Sequence, residues 1–288
     1  MARQTIAQAQ AGASQADGSE IGLFVRGVGF FREGVEYEAQ HVGTIDGKAA
    51  KIIDIFGYRT QWNSNSVLGD VAPYLVGGQD KYNIPAVGTT YYLNSTSAQD
   101  LTAGTGVDRV RIVYLDASGN QQVMTANLNG TTAVSIGSGI TFVQWMESYH
   151  SVTDDRIAIG ALTLSSINGV ATEATTIEMI QAGGNRSESL RYKVPTGKHV
   201  HLRDHDIQTN GTSGTAKLRA TVFSDDNAIS NAYHFIDVAT LKDGATYEAP
   251  LLWRNIPAGA IVKLSFIPAQ ITAGNKVTGS LHLLLTDN

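Results

Sequence analysis

The sequence contains no cysteine. Disulfides cannot hold the fold, and thiolate catalysis and zinc–thiolate sites are excluded. Such a chain fits manufacture in a reducing compartment. Charge is also scarce, at 16% of residues against about a quarter in an ordinary globular protein. A surface so thinly charged suits burial in an assembly. The net charge is −5 and there is no run of basic residues, so no electrostatic footprint for nucleic acid is present. No apolar stretch approaches about 18 uninterrupted residues, so no membrane-spanning helix is expected. The first ten residues, MARQTIAQAQ, lack the apolar run of a secretory leader. Prolines number only six against thirty glycines. With abundant Thr, Ser, Ala and Asn, this is the composition of a chain built from strands and turns.

The clearest pattern lies at 108–134, DRVRIVYLDASGNQQVMTANLNGTTAV. Val110, Ile112 and Tyr114 alternate with Arg109, Arg111 and Val113, as in a strand with one buried face. Asp116-Ala-Ser-Gly-Asn120 is a five-residue hairpin connection, and Gln122, Met124, Ala126 and Leu128 resume the alternation. Asn129-Gly130 is a type I′ turn signal, so a three-strand meander is expected. Upstream, Ala50–Arg59 alternates Ile53, Ile55 and Gly57 against Ile52, Asp54 and Phe56, again as a strand. From residue 187 onward, strand and turn signals recur at regular spacing, which argues for antiparallel sheets. No alternation of strands with long helical periods is present, so a doubly wound or barrel α/β fold is not expected. The fold class expected is all-β: two antiparallel sandwich- or jelly-roll-like domains with an extended N-terminal arm. The arm is residues 1–20, the first domain 21–165 and the second 186–288, with 166–185 as a linker. Within 166–185, Glu173–Ile180 fits either strand or helix.

Chemistry-bearing residues are few. His199, His201 and His205 fall on one parity of a single strand, where two-residue spacing can present metal ligands on one face. Lys198 and Arg203 crowd them with positive charge, and the plainer assignment is cross-strand hydrogen bonding or a pH-sensitive contact. Asp154-Asp155 and Asp225-Asp226-Asn227 are acidic turns without the twelve-residue calcium-loop pattern. Glu33 and Glu36 are close in sequence, which does not establish the across-cleft separation glycoside hydrolysis needs. Gly27-Val-Gly29 lacks the third glycine and the helix of a nucleotide loop, and no nucleophile elbow or phosphate loop occurs. Trp62, Trp145, Trp253, Tyr91 and Tyr92 suit either a sugar-stacking platform or the core of a sheet structure. No cofactor and no enzymatic activity are expected. Residues 1–20 contain only Ile6 as a large aliphatic besides Met1, too little to offset chain entropy alone. They suit an arm that docks on a neighbour, with Thr5, Ile6, Gln8 and Gln10 as its contacts.

Two stretches carry a resemblance. Residues 93–120, LNSTSAQDLTAGTGVDRVRIVYLDASGN, followed by Leu128-Asn-Gly-Thr-Thr-Ala-Val134, resemble a module of virion structural proteins of tailed bacteriophages, notably marine ones. Those proteins carry a succession S-S-S-A-x-D-T-A-A-G-T-G, then L-D, then L-N-G-T-T-x-V. Here Leu101 and Thr102 replace the usual Thr and Ala, and Phe142-Val-Gln-Trp145 stands where R-I-N-R commonly follows. The module covers about residues 89–150. Tyr192-Lys-Val-Pro-Thr-Gly-Lys198 is similar to the start of the sandwich that follows in those proteins. The resemblance implies a virion component without catalytic residues, made in the host bacterial cytoplasm. It implies a capsid accessory or decoration protein, self-associating as a homo-oligomer such as a trimer and packed on the major capsid protein. A tail component (adaptor, nozzle or fibre base) and a host carbohydrate-binding module are the alternatives, with a glycan-degrading enzyme last.

Overall fold

The computed structural model describes residues 31–32, 35–36, 42–45, 48–59, 85–151, 156–172, 175–221, 233–249, 256–269 and 276–287. Among them there is no helix, and the strands form small antiparallel sheets. The strands are β1 (Phe31–Arg32), β2 (Val35–Glu36), β3 (Val42–Ile45), β4 (Lys48–Arg59), β5 (Tyr91–Ser95), β6 (Val107–Leu115), β7 (Gln121–Asn127), β8 (Val134–Gly137) and β9 (Phe142–Ser151). They continue with β10 (Leu162–Ser165), β11 (Thr176–Ile180), β12 (Arg191–Lys193), β13 (Lys198–Asn210), β14 (Gly214–Thr221), β15 (Tyr233–Leu241), β16 (Thr246–Ala249), β17 (Ile261–Pro268) and β18 (Lys276–Asp287).

Two sheets enclose the first core. One runs β11-β10-β5-β8 and the other β7-β6-β9. Tyr91 and Leu93 of β5, Val110 and Ile112 of β6, Val143 and Met146 of β9, and Leu162 and Leu164 of β10 share one apolar cluster. β10 lies between β5 and β11, and all four of its residues are buried. Two further sheets enclose the second core: β12-β17-β14-β15 and β16-β13-β18-β4-β3. There the period-2 alternation sends Leu281, Leu283 and Leu285 inward against Leu218, Leu264 and Phe266. Each leucine so buried stabilises the fold by roughly 1.5–3 kcal/mol. From β12 to β18 the chain passes repeatedly between these two sheets, with β14–β15 the one consecutive pair that stays within a sheet.

The two cores are stitched by residues 185–196. Ser148 N–H donates to the Asn185 carbonyl at 2.8 Å, and Ser187 N–H to the Met146 carbonyl at 2.9 Å. The Gln144 amide, 1% exposed, imitates a strand rung: its Nε2 donates to the Lys193 carbonyl at 2.6 Å and its Oε1 accepts from Lys193 N–H at 3.0 Å. With both ends of the buried amide bonded, its desolvation is offset and its neighbours are held in register. Leu115, Phe142 and Ile261 form a small apolar cluster at the same junction.

The hairpin at Asp116–Asn120 forms, with Leu115 opposite Gln121 and Gly119 at φ +77° closing the turn. The meander does not form. β7 pairs with β6, but β8 leaves that sheet and pairs with β5, while β9 takes the other side of β6. The Asn129-Gly130 step is not type I′, which needs positive φ at both central residues. Gly130 has φ +58°, but Arg156 is the one described non-glycine residue with positive φ. Tertiary bonds capture the step instead: Gly130 N–H donates to the Asp100 carbonyl at 2.9 Å, and Ser95 N–H to the Gly130 carbonyl at 2.8 Å. Residues 166–185 contain β11, a strand paired with β10. β4 lies within the bounds 21–165, yet it pairs along its length with β18, from Ala50 opposite Thr286 to Arg59 opposite Val277. That pairing crosses the boundary drawn at 166–185.

Candidate functional site

The three histidines of β13 do not share a face. The register with β18 shifts between Leu202 and Asp204, a bulge at Arg203. One extra residue reverses the inward parity of everything after it. Val200 and Leu202 point inward before the bulge, and His205, Ile207 and Thr209 after it. His205 is 2% exposed and lies beside the Tyr247 ring at 5.9 Å, while His199 and His201 stay on the outward face, half-buried. The bulge brings Asp204 and Asp206 onto that outward face. Among the described residues, no group of three or more His, Asp or Glu is placed to hold a metal ion.

A different histidine gathers the polar groups. His282 on β18 stands directly between Asp54 of β4 and Asp204 of β13 in the strand register. Its Nδ1 is 2.7 Å from Asp54 Oδ1, its Nε2 is 2.8 Å from Ser280 Oγ, and Asp204 Oδ1 is 3.6 Å from Nε2. The Asp54 hydrogen bond, helped by the charges of Asp204, Asp54 and Asp206, raises the His282 pKa against the opposing effect of burial. The same bond lowers Asp54, with Arg203 and Arg186 adding to the effect. Arg186 reaches this patch from the 185–196 segment. Its Nη2 donates to the Asp54 carbonyl at 3.0 Å, and its guanidinium lies 5.2 Å from the Trp145 ring centroid and 6.0 Å from that of Phe56. Asp54 and Phe56 read in the sequence only as strand residues, because Arg186 and His282, their partners here, lie 130 or more positions away.

Ser280, His282 and Asp54 have the connectivity of a nucleophilic triad. Their surroundings oppose that chemistry. Ser280 is 6% exposed in the middle of a paired strand, opposite Asp206 on one side and Phe56 on the other. Asp54 and Asp204 flank the His282 that bonds it, and carboxylates there oppose a developing oxyanion, where a hydrolase presents N–H donors. The Asp54 bond and the neighbouring carboxylates raise His282, which shifts it away from the neutral form a general base needs. The cluster is an Asp–His–Asp charge ladder tying β4 to β18 and β13.

The resembling module 93–120 builds a second polar centre. Asp100 is fully buried. Its Oδ1 accepts from Val107 N–H at 3.0 Å and Ile159 N–H at 3.1 Å, and its Oδ2 from Ser95 Oγ at 2.5 Å and Gly160 N–H at 2.8 Å. Four donors on one carboxylate hold the loop 95–107 against the chain entering β10. The glycines of the A-G-T-G step follow from this crowding. A Cβ on Gly106 would lie 2.1 Å from Asp100 Oδ1, and one on Gly104 would lie 2.0 Å from the Gln99 carbonyl oxygen. These residues do structural work in the loop.

A third centre is the buried pair Glu178–Arg191, 2% and 0% exposed, with Arg191 Nη2 2.6 Å from Glu178 Oε2. Burial pushes the Glu178 carboxyl up, to about 8, against the bonds from Met179 N–H and Ser189. The adjacent guanidinium also favours the carboxylate. The Arg191 guanidinium lies over Phe142 at 5.4 Å.

The remaining candidates are quickly placed. Tyr91 is 1% exposed in the first core, and Trp145 packs against the second core under Arg186, so neither offers an open sugar platform. Thr5, Ile6, Gln8, Gln10, Gly27, Gly29, Glu33, Trp62, Asp154, Asp155, Asp225, Asp226, Asn227 and Trp253 lie outside the described residues.

No family model matches the sequence, and no curated protein matches it. Among solved structures, the chain is similar to that of the infectious bursal disease virus Gx strain, at 11% identity and a TM-score of 0.24, over 83% of this chain and 72% of that one. It is similar to a putative secreted protein from Parabacteroides distasonis at 10% identity and a TM-score of 0.20, over 86% and 92% of the two chains. The clostridial cysteine protease Cwp84 after propeptide cleavage aligns at 11% identity and a TM-score of 0.20, over 76% and 73%. Likeness at such TM-scores carries no argument about fold or function.

Proposed function

We propose that this chain is a non-enzymatic structural subunit of a tailed-bacteriophage particle, placed on the head as a capsid accessory or decoration protein. The observation that carries the proposal is the module at 89–150, in which the resembling residues are spent on folding. Ser95, Asp100, Gly104 and Gly106 build the Asp100 centre, and Gly119 closes the β6–β7 hairpin. A module whose polar residues face each other is suited to scaffolding. The pairing of sheets around each core, and the passage of the chain between sheets, support two sandwich- or jelly-roll-like units.

In this role the subunit acts through area buried between copies and on the major capsid protein. Residues 1–20 dock as an arm through Thr5, Ile6, Gln8 and Gln10. Gold-labelled antibody against the chain, imaged on purified particles, tests the placement. Label over the head supports it, label at the tail supports the tail alternative, and unlabelled particles overturn the virion role. Deleting residues 2–20 is expected to leave a folded protein that no longer enters particles. Normal incorporation of that variant would sink the arm.

A further inference from the structure

We propose that β7 is a self-association edge, where a second copy of this chain adds its own β7 as an antiparallel strand. β7 is an outer strand of the sheet β7-β6-β9, and among the described residues no other strand pairs with it. The opposite edge of that sheet, β9, is already bonded by residues 185–187. An open strand edge presents a row of N–H and C=O groups, and natural proteins blunt such edges with lysine, proline, bulges or very short strands. β7 has none of these defences. Its seven residues, Gln121-Gln-Val-Met-Thr-Ala-Asn127, include no charge and no proline. Its register with β6 runs from Arg109 opposite Asn127 to Leu115 opposite Gln121 without a shift, whereas the β6–β9 register shifts at three points. The other outer strands differ. β3, β8 and β16 have four residues each and β12 has three. β11 has five and carries Glu178, and β15 carries Asp237 and has a register shift against β14.

The occupant follows from the same residues. An uncharged edge offers a charged strand no complement, whereas the same strand reversed sets Gln121 opposite Asn127, Val123 opposite Thr125 and Met124 opposite itself, all neutral pairs. Pairing β7 with β7 about a twofold axis is closed, so it yields a dimer and no fibre. Val123 is 59% exposed, and Gln122, Thr125 and Asn127 are exposed beside it, so the edge is open to an incoming strand. The inference is independent of the placement on a phage head: it names one contact among copies, whichever particle holds them.

The test is sedimentation of the full chain with the substitutions Val123→Lys and Val123→Glu. The wild type is expected to dimerise. Residue 123 then faces Thr125 of the other copy, so either variant alone sets two like charges diagonally across the axis and is expected to weaken the dimer by roughly threefold. Mixing the two is expected to restore a heterodimer. A monomeric wild type would overturn the proposal, as would an oligomer that Val123→Lys leaves intact. Hydrogen exchange on the wild type provides a readout that needs no variant. Protection of amides 121–127 should rise with protein concentration, and concentration-independent protection there would count against the pairing. Either failure leaves the labelling of particles unaffected, so the two proposals fail separately.

Discussion

Replacing Asp100 with alanine removes the acceptor of four hydrogen bonds at once. Three of its donors are backbone N–H groups, of Val107, Ile159 and Gly160, and the fourth is the Ser95 hydroxyl. The hydroxyl can turn elsewhere, but the N–H groups of Val107 in β6 and of Ile159 and Gly160 just before β10 are fixed by the backbone. An unsatisfied buried donor costs roughly 1–3 kcal/mol, so three cost roughly 3–9 kcal/mol. Water entering the vacated space meets part of that demand, which brings the expected loss to about 3–5 kcal/mol. In melting temperature this corresponds to a fall of about 5–8 °C for a chain of 288 residues. Calorimetry of Asp100→Ala, Asp100→Asn and Ser95→Ala should give a graded series. The asparagine keeps one acceptor oxygen and turns an NH2 toward donors, so it is expected at about 2–3 kcal/mol. Ser95→Ala loses the charge-assisted bond to Asp100 and the bond accepted from the half-buried Ser97 N–H, and is expected to be mildest. An Asp100→Ala protein within about 1 kcal/mol of wild type would refute the claim that this carboxylate holds the module together.

Other expectations follow from the same contacts. Arg191→Met leaves Glu178 buried beside no guanidinium and is expected to cost about 3–5 kcal/mol in chemical denaturation, while the double variant Glu178→Leu, Arg191→Met recovers most of it. Equal losses in the single and double variants would contradict that account. Gly106→Ala places a Cβ 2.1 Å from Asp100 Oδ1 and should lower the melting temperature clearly, whereas Gly139→Ala, with nothing within 4 Å of its Cβ, should not. The Asp54–His282 ladder makes stability depend on pH. His282 is raised, so its contribution is full below its unfolded value of 6.5 and is lost as pH rises through the higher folded value. Asp54 is lowered, so its contribution is present above 3.8 and lost as pH falls through its folded value. The pair is therefore strongest between about 4 and 6.5, and is damped by the 46% exposure of Asp54. His282→Asn should flatten the decline of melting temperature above pH 6.5; an unchanged slope would remove the ladder from the explanation.

Much of the local structure is legible in the residues. Alternation of Ile53 and Ile55 marks β4, and Asp116–Asn120 marks the β6–β7 turn, because both are set by neighbours in sequence. What the sequence conceals is set by distant partners. Nothing near Ile55 says that it will sit opposite Leu281, and nothing near Asn129 says that Asp100 will take the turn from a hairpin. The bulge at Arg203 has no glycine or proline to announce it, so the histidine parity at 199, 201 and 205 misleads. A usable signal for the Asp100 centre does exist: one aspartate followed by glycines four and six residues later, in a Ser- and Thr-rich loop between strands. Small residues crowded around a lone acid imply that its carboxylate is enclosed. His282 has no such signal, since its carboxylate partners arrive from two other strands, Asp54 on β4 and Asp204 on β13.

The central claim is that the chain is a repeated structural part of a phage head. Quantitative mass spectrometry of purified particles, with the major capsid protein as internal standard, tests it most directly. A shell accessory protein is expected at on the order of hundreds of copies per particle, in a fixed ratio to the capsid protein. Roughly six or twelve copies, as a tail ring would hold, would contradict the head placement, and absence from washed particles would contradict the virion role itself.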